Sequence, residues 1–302
     1  MTTSGDTDRL ESIQLSNGWS ARVRTGARVG DGDLPEPEAW RGFLAQLVTA
    51  PQALPGYAVL KSSRGSEVFR ATLATCDRSI TVVAKQSRLK NLRRKLSAMA
   101  QGLRETRNFS KGARLLAVGI DTALPLALVT RRSPRREAWL ITEFLADVVD
   151  LDQVARDMMA TLDPRSRLGV KRKIIEAIVG LLATLERNGL THRDFKASNL
   201  LLRHWNWQAA AVALCVVDLD GIHRAAWLTR RRRWRPVVRL VASLLECPAV
   251  TRTDLVRFLH SYLTGRGEQP GAWRSHFHRI AGESAAYLRR SQGRRAHKLG
   301  AL

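Results

Sequence analysis

The hydrophobic period of this chain changes along its length, and that change bounds the fold. Between residues 57 and 85 the apolar residues fall in three short runs, YAVLK (57–61), EVFRATLA (67–74) and ITVVAK (80–85), separated by polar turns. This is the pattern of an antiparallel meander. From residue 88 the spacing becomes helical: Leu89, Leu92, Leu96, Met99 and Leu103 recur at three and four, which predicts a basic amphipathic helix over 88–117, interrupted at Gly102. Two further strand-like runs, LPLALVT (124–130) and AWLITEFL (138–145), flank the charged hairpin RRSPRRE. Beyond residue 150 the chain reads as helical, most clearly over 170–189 with Gly189 as the C-cap, and AVALCVV (211–217) is an isolated strand-like run. Helices are also expected at 237–246, 252–263 and 273–290. Strands first and helices second make an α+β chain, with a five-stranded antiparallel lobe that carries one inserted helix and a mainly helical lobe after it.

Residues 1–38 are polar and read as an extension with one docked strand in WSARVRT (19–25), and PEAWRGFLAQLV (37–48) reads as a short helix before Pro51 and Pro55. The expected division is a first lobe over 39–145 and a second over 146–302. Fifty Lys and Arg against 27 Asp and Glu give a net charge of +23, a field that favours anionic partners: nucleic acid, lipid headgroups or phosphorylated substrates. Nucleic acid is the poorest fit, because aromatic residues do not alternate with the basic ones, RRRRWR excepted. The scattered Cys76, Cys215 and Cys247 have no zinc-ligand spacing and suit a reducing compartment. With no basic start followed by an apolar run and no long apolar window, a cytoplasmic protein is expected.

The densest chemistry lies in LTHRDFKASNLLLR (190–203). Asp194, in a loop after a helix and flanked by His192 and Arg193, suits a general base that reaches a hydroxyl. Lys196 is placed to neutralise a transferring phosphoryl group, and Asn199 offers an amide oxygen to a Mg2+ that keeps waters and phosphate oxygens. The order HRDxKxxN is close to the catalytic loop of protein-kinase-like phosphotransferases. Such a loop needs three companions. Asp218 in VVDLDG ends the next strand-like run and supplies a second metal-binding acid. Lys85 ends ITVVAK, as a strand lysine that holds the α and β phosphates would. Glu105 is the only acidic residue between Gln86 and Ile120, so elimination names it as the partner of Lys85. Each companion by itself is an ordinary surface charge or turn, and it is the set in chain order that points to chemistry. The expected phosphate turn, LKSSRGSEVF (60–69), has one glycine, Gly65, with Ser63 and Ser66 able to add hydrogen bonds.

HRDFKASNLLL with VVDLDG resembles the lipopolysaccharide kinase family (Kdo/WaaP type), as do RETRNFSKGARLLAVGI (104–120) and RLVASLLECPAVTRTDLVRFLHSYL (239–263), over roughly 57–290. The resemblance implies a bilobal protein-kinase-like fold, ATP and Mg2+ as cofactors, and phosphorylation of a Kdo or heptose hydroxyl of the lipopolysaccharide inner core or a related anionic glycolipid. It also implies peripheral contact with the inner membrane face and adenine held near Glu143 and Leu145. Two positions depart from the family pattern. Pro236 stands near the usual Asp that braces the catalytic loop, and Lys196 makes the loop read as in Ser/Thr protein kinases, which keeps a protein kinase as the rival. A nucleic-acid-binding protein on the same scaffold is the second rival. Against a protein kinase, no APE follows DLDG, and only about fifteen residues, filled by RRRRWRP, separate Gly221 from the helix expected at 237. Arg230, Arg231, Arg232, Arg233 and Trp234 are therefore expected at the acceptor or membrane.

Overall fold

A computed structural model describes residues 9–25, 28–29, 32–33, 35–63, 66–74, 78–87, 103–131, 137–224, 229–269 and 271–299. The chain divides into two compact units, one of residues 1–116 with 123–145 and the other of 117–122 with 146–302.

The first unit is built on a seven-stranded antiparallel sheet. Its strands are β1 (Arg9–Gln14), β2 (Trp19–Thr25), β5 (Ala58–Ser63), β6 (Ser66–Ala74), β7 (Ser79–Ser87), β8 (Pro125–Arg131) and β9 (Glu137–Glu143), in the order β1-β2-β8-β9-β7-β6-β5, while β3 (Arg28–Val29) and β4 (Gly32–Asp33) pair only with each other. Beyond the five expected strands the sheet holds β2, the expected docked strand, which pairs with β8 over Trp19–Val23, and β1, which forms a hairpin with β2. Short, polar β1 shows one buried side chain, Ile13, too weak a period-two signal to stand out in a Gly- and Asp-rich stretch.

Alternation along the central strands assigns the two faces. Ala127, Val129, Trp139 and Ile141 join Val82, Ala84, Phe69 and Ala71 in one core cluster, closed by Trp40, Phe43, Leu44 and Leu47 of helix α1 (Pro37–Thr49). The intervening Leu128, Ala138 and Leu140 pack on the opposite face against Phe109 of helix α2 (Arg104–Ala117). Full burial of Phe109 contributes roughly 1.5–3 kcal/mol. Of the helix expected over 88–117, the part from 104 on is present, and the basic residues Arg88, Lys90, Arg93, Arg94 and Lys95 lie outside the described residues.

The second unit is mainly helical. Short helix α3 (Leu151–Gln153) leads into a π turn, Val154–Met158, and then helix α4 (Pro164–Arg187). Asp163 caps α4 by accepting from the amides of Arg165 and Ser166, Pro164 opens it where an N–H would be unpaired anyway, and Gly189, at φ +62°, closes it. Val170, Ile174, Ile178, Leu181 and Leu185 form its buried stripe. The small strands β10 (Val148–Asp150), β12 (Leu200–Arg203) and β13 (Ala213–Val216) form one sheet, and β11 (Leu190–His192) pairs with β14 (Ile222–Arg224). Helices α5 (Arg230–Leu244), α6 (Arg252–Thr264) and α7 (Trp273–Leu299) complete the unit. Residues 117–122 belong here because Asp121 and Thr122 bond the main chain of Val216, and Arg203 pairs with Asp121 at 2.6 Å.

Helix α5 begins seven residues earlier than the sequence pattern suggested. Arg230–Arg233 form its first turn, capped by Thr229, so the linker expected after Gly221 is about half the expected length. Pro236 sits inside the helix, where it cannot donate to the carbonyl of Arg232. That carbonyl accepts instead from the Thr191 hydroxyl at 3.3 Å.

Candidate active site

The second unit carries the loop that holds Asp194. Strand β11 delivers His192, Arg193 and Asp194 into a turn, a single 3-10 turn (Ala197–Asn199) follows, and β12 leads away. The expected second acid, Asp218, follows β13 in a left-handed conformation (φ 61°, ψ 60°) and opens a second 3-10 turn, Leu219–Gly221. Main-chain bonds lock the two turns together: Arg193 N–H donates to Gly221 O at 2.7 Å, and Val217 N–H donates to Asn199 O at 3.0 Å. Asn199, buried, donates through Nδ2 to the Asp194 carbonyl at 2.8 Å, which leaves Oδ1 as its acceptor. The structure thus brings together Arg193, Asp194, Lys196, Asn199 and Asp218. The oxygen donors Asn199 and Asp218, tied by adjacent main-chain bonds, fit a Mg2+ that takes its remaining ligands from water and phosphate.

Asp194 remains 38% exposed and is faced by two cations: Lys196 Nζ at 3.9 Å from Oδ2, and Arg239 Nη1 at 3.5 Å from Oδ1. His192 and Gly221 stand in the motifs of the sequence without a role of their own there, and the structure gives each a place. His192 is fully buried, accepts the Asp194 N–H at 3.2 Å through Nδ1 and packs edge-on to Phe195. Gly221 lies so close beneath it that an added Cβ would stand 2.4 Å from His192 Cε1. The brace expected from an Asp at position 236 comes from other α5 residues: Arg239 faces Asp194, the Ser243 hydroxyl accepts the Ala197 N–H at 2.9 Å, and the Arg232 carbonyl takes Thr191. No local sequence signal marks these contacts, since donor and acceptor lie more than forty positions apart.

In the first unit Lys85 lies on β7, opposite Val68 and Leu140. Because cross-strand partners share a face, Lys85 is on the face covered by α2, the helix that carries Glu105. Glu105 is buried, 2% exposed, and burial pushes its carboxyl above the usual range against the opposing charges of Arg104 and Lys85. Its Oε1 has no donor among the described residues, and this buried acceptor suits an ammonium partner.

In the expected phosphate turn, Ser63 bonds Ser66 through both its hydroxyl and the Ser66 amide, at 3.1–3.3 Å, while Gly65 lies outside the described residues. Glu143 and Leu145 lie at the end of β9 and just beyond, where the first unit ends; the Glu143 carboxylate and amide both bond Leu124. Of the basic block, Arg232 is exposed and Trp234 is not. Trp234 is 5% exposed, stacked on His276 at 4.6 Å, and the Arg279 guanidinium lies over its ring at 5.0 Å from the centroid, so the expected surface contact is a core residue.

An antiparallel sheet with an inserted helix, a helical second unit and an HRDxKxxN loop tied to an Asp-bearing turn define the protein-kinase-like fold. The family model of the Lipopolysaccharide kinase (Kdo/WaaP) family matches residues 60–262, and the chain belongs to that family. It is 31% identical over 153 residues to the lipopolysaccharide core heptose(I) kinase WaaP of Pseudomonas aeruginosa, a match that covers 49% of this chain and 55% of that protein. The chain thus spans about half the length of the curated relative it matches. Among solved structures it is similar to WaaP in complex with acyl carrier protein, with a TM-score of 0.60 and 25% identity, covering 86% of this chain and 97% of that one.

Proposed function

We propose that the protein is an ATP-dependent phosphotransferase that phosphorylates a sugar hydroxyl, on Kdo or heptose, of the lipopolysaccharide inner core or a related anionic glycolipid. The observation that carries this is the locked pair of turns holding Asp194, Asn199 and Asp218 in a chain of this family. Asp194 orients the acceptor hydroxyl and takes its proton, and Lys196 steadies the γ-phosphoryl group. Lys85, paired with Glu105, positions the α and β phosphates, the Ser63–Ser66 turn covers them, and the chain at Glu143–Leu145 receives the adenine. Asn199 and Asp218 are the residues that would hold Mg2+, which when bound neutralises charge developing on the phosphates. The protein contribution is positioning and fixed charge rather than covalent chemistry.

No helix among the described residues is long and apolar enough to cross a membrane, and access to the acceptor is proposed to be peripheral, at the inner membrane face. An acyl carrier protein, seen with the solved WaaP, is proposed as a partner here too. In support, the second unit holds an apolar cavity of about 510 Å³ lined by residues such as Ile174, Ile178, Leu244 and Phe258. Mass spectrometry for a carrier protein co-purifying with this chain tests that partnership.

The experiment for the activity is ATP turnover with Mg2+ against Kdo-lipid A, heptosylated cores and a generic protein, for wild type and Asp194→Ala. Transfer to a core sugar that is lost in Asp194→Ala is expected. Equal turnover by both proteins with every acceptor would remove the enzyme assignment, and transfer to the protein alone would favour the protein-kinase rival suggested by Lys196.

A further inference from the structure

Helices α5 and α7 flank a half-open concavity of about 740 Å³, within the ~300–1,000 Å³ range of small-molecule sites. Its walls carry Arg235, Arg239, Arg279 and Arg290 against one acid, Glu283. The arginines are placed by helix periodicity: Arg235 and Arg239 are one turn apart on α5, and Arg279, Glu283, Tyr287 and Arg290 recur at four, four and three on α7. The helices are pinned by the buried Ser284 hydroxyl, which donates to Val238 O at 3.2 Å. Two of the guanidinium groups are held by aromatic rings, Arg239 at 3.8 Å from the Tyr287 centroid and Arg279 at 5.0 Å from that of Trp234. A planar cation held in this way loses little freedom when it takes a two-pronged anion.

Arg239 belongs to two places at once. It lines this cavity, and its Nη1 lies 3.5 Å from the Asp194 carboxylate. We infer that the cavity binds anionic groups of the acceptor, phosphate or carboxylate, and so holds the acceptor hydroxyl at Asp194. This rests on the phosphotransferase function proposed above and places the anion site on α5 and α7 rather than on Arg230–Arg233. A flat anionic membrane surface is the poorer occupant, because the arginines line a concavity that shares Arg239 with Asp194.

The test measures, in neutral detergent micelles, the KM of heptosylated Kdo-lipid A with ATP and Mg2+, and in parallel the Kd of the same micelles without ATP. The acceptor is used intact and with its lipid A phosphates removed. Arg279→Gln and Arg290→Gln, away from Asp194, are each expected to raise KM and Kd about tenfold or more, the loss falling on KM rather than kcat. Arg279→Lys should recover part of it. If the penalty disappears with the dephosphorylated acceptor, the bound anion is phosphate; if it persists, it is carboxylate. Unchanged KM and Kd in variants that melt like wild type would overturn the inference and leave the proposed function standing. Unchanged acceptor binding with weakened binding to phosphatidylglycerol vesicles would also overturn it, in favour of a membrane contact. Micelle binding that depends on Arg279 and Arg290 without any phosphoryl transfer would keep the anion site and remove the proposed function, and no binding at all would remove both.

Discussion

Asn199 holds the carbonyl of Asp194 through its Nδ2 at 2.8 Å, so the residue proposed to bind the cation also fixes the residue proposed to meet the acceptor. Asn199→Ala removes both functions. Turnover is expected to fall about 10²–10³-fold, the scale of losing one group that stabilises developing charge. Asn199→Asp restores a cation ligand but not the donor, and should recover only part of the loss. Single-turnover kinetics at saturating ATP check this.

Gly221→Ala places a methyl 2.4 Å from the ring of the buried His192. Since His192 is held by Phe195 and by the Asp194 amide, the loop has to shift. A loss of ~1–3 kcal/mol in stability is expected from overpacking, with a larger loss of turnover than of stability. Denaturant titration beside an activity assay separates the two.

Ser243→Ala leaves the Ala197 amide without its acceptor. The expected cost is ~1 kcal/mol of stability with lowered kcat and little change in KM for ATP, because the loop carrying Lys196 and Asn199 loses its hold on α5. Ser243→Thr, which keeps the hydroxyl, should rescue kcat. Equal loss in both variants would mean that Ser243 acts through packing.

Glu105→Gln keeps the shape of a buried side chain and removes a charge that burial disfavours. Melting temperature should stay level or rise while KM for ATP rises roughly tenfold, a change that corresponds to about 1.4 kcal/mol of lost binding. A fall in stability with unchanged ATP affinity would assign Glu105 to the fold alone.

Asp254 connects α6 to α4 through Lys171 at 2.6 Å, while accepting from Thr251 and Arg257. Burial by itself would raise its carboxyl, but the Lys171 and Thr251 bonds outweigh it and hold the group below the usual range. A carboxyl lowered by folding adds stability that is present above the unfolded value, near 3.9, and is lost as pH falls through the lower folded one. Wild type should therefore lose stability below about pH 4 more steeply than Asp254→Asn. Melting temperatures between pH 6 and 3 measure the difference. Lys171→Ala is expected to cost ~1–3 kcal/mol at neutral pH.

Much of the site was legible in the chain itself because its elements are local. HRDFKASN is eight consecutive residues, Lys85 lies on a strand whose alternation is plain, and Glu105 stands as the one acid in its stretch. The central strands were legible for the same reason: β6 and β7 alternate buried with less buried side chains, and β8 and β9 are short, continuously buried apolar runs. The hairpin of β1 and β2 was half hidden, because β1 buries a single side chain and takes its order from pairing with β2. The start of α5 was hidden by chemistry that reads as a loop: four arginines and a proline make a helix only because Thr229 caps it and Thr191 satisfies the carbonyl that Pro236 leaves open.

The sequence by itself determined which groups can do chemistry, since residue type and short spacing fix what a loop can hold. Only the tertiary structure decided what faces those groups. Arg239 meets Asp194, Ser243 meets Ala197, and Trp234 turns inward to His276 while Arg279 and Arg290 line a cavity with α5. Those contacts join residues some forty or more positions apart through the packing of whole helices, and no short-range period encodes which faces of α5 and α7 come together.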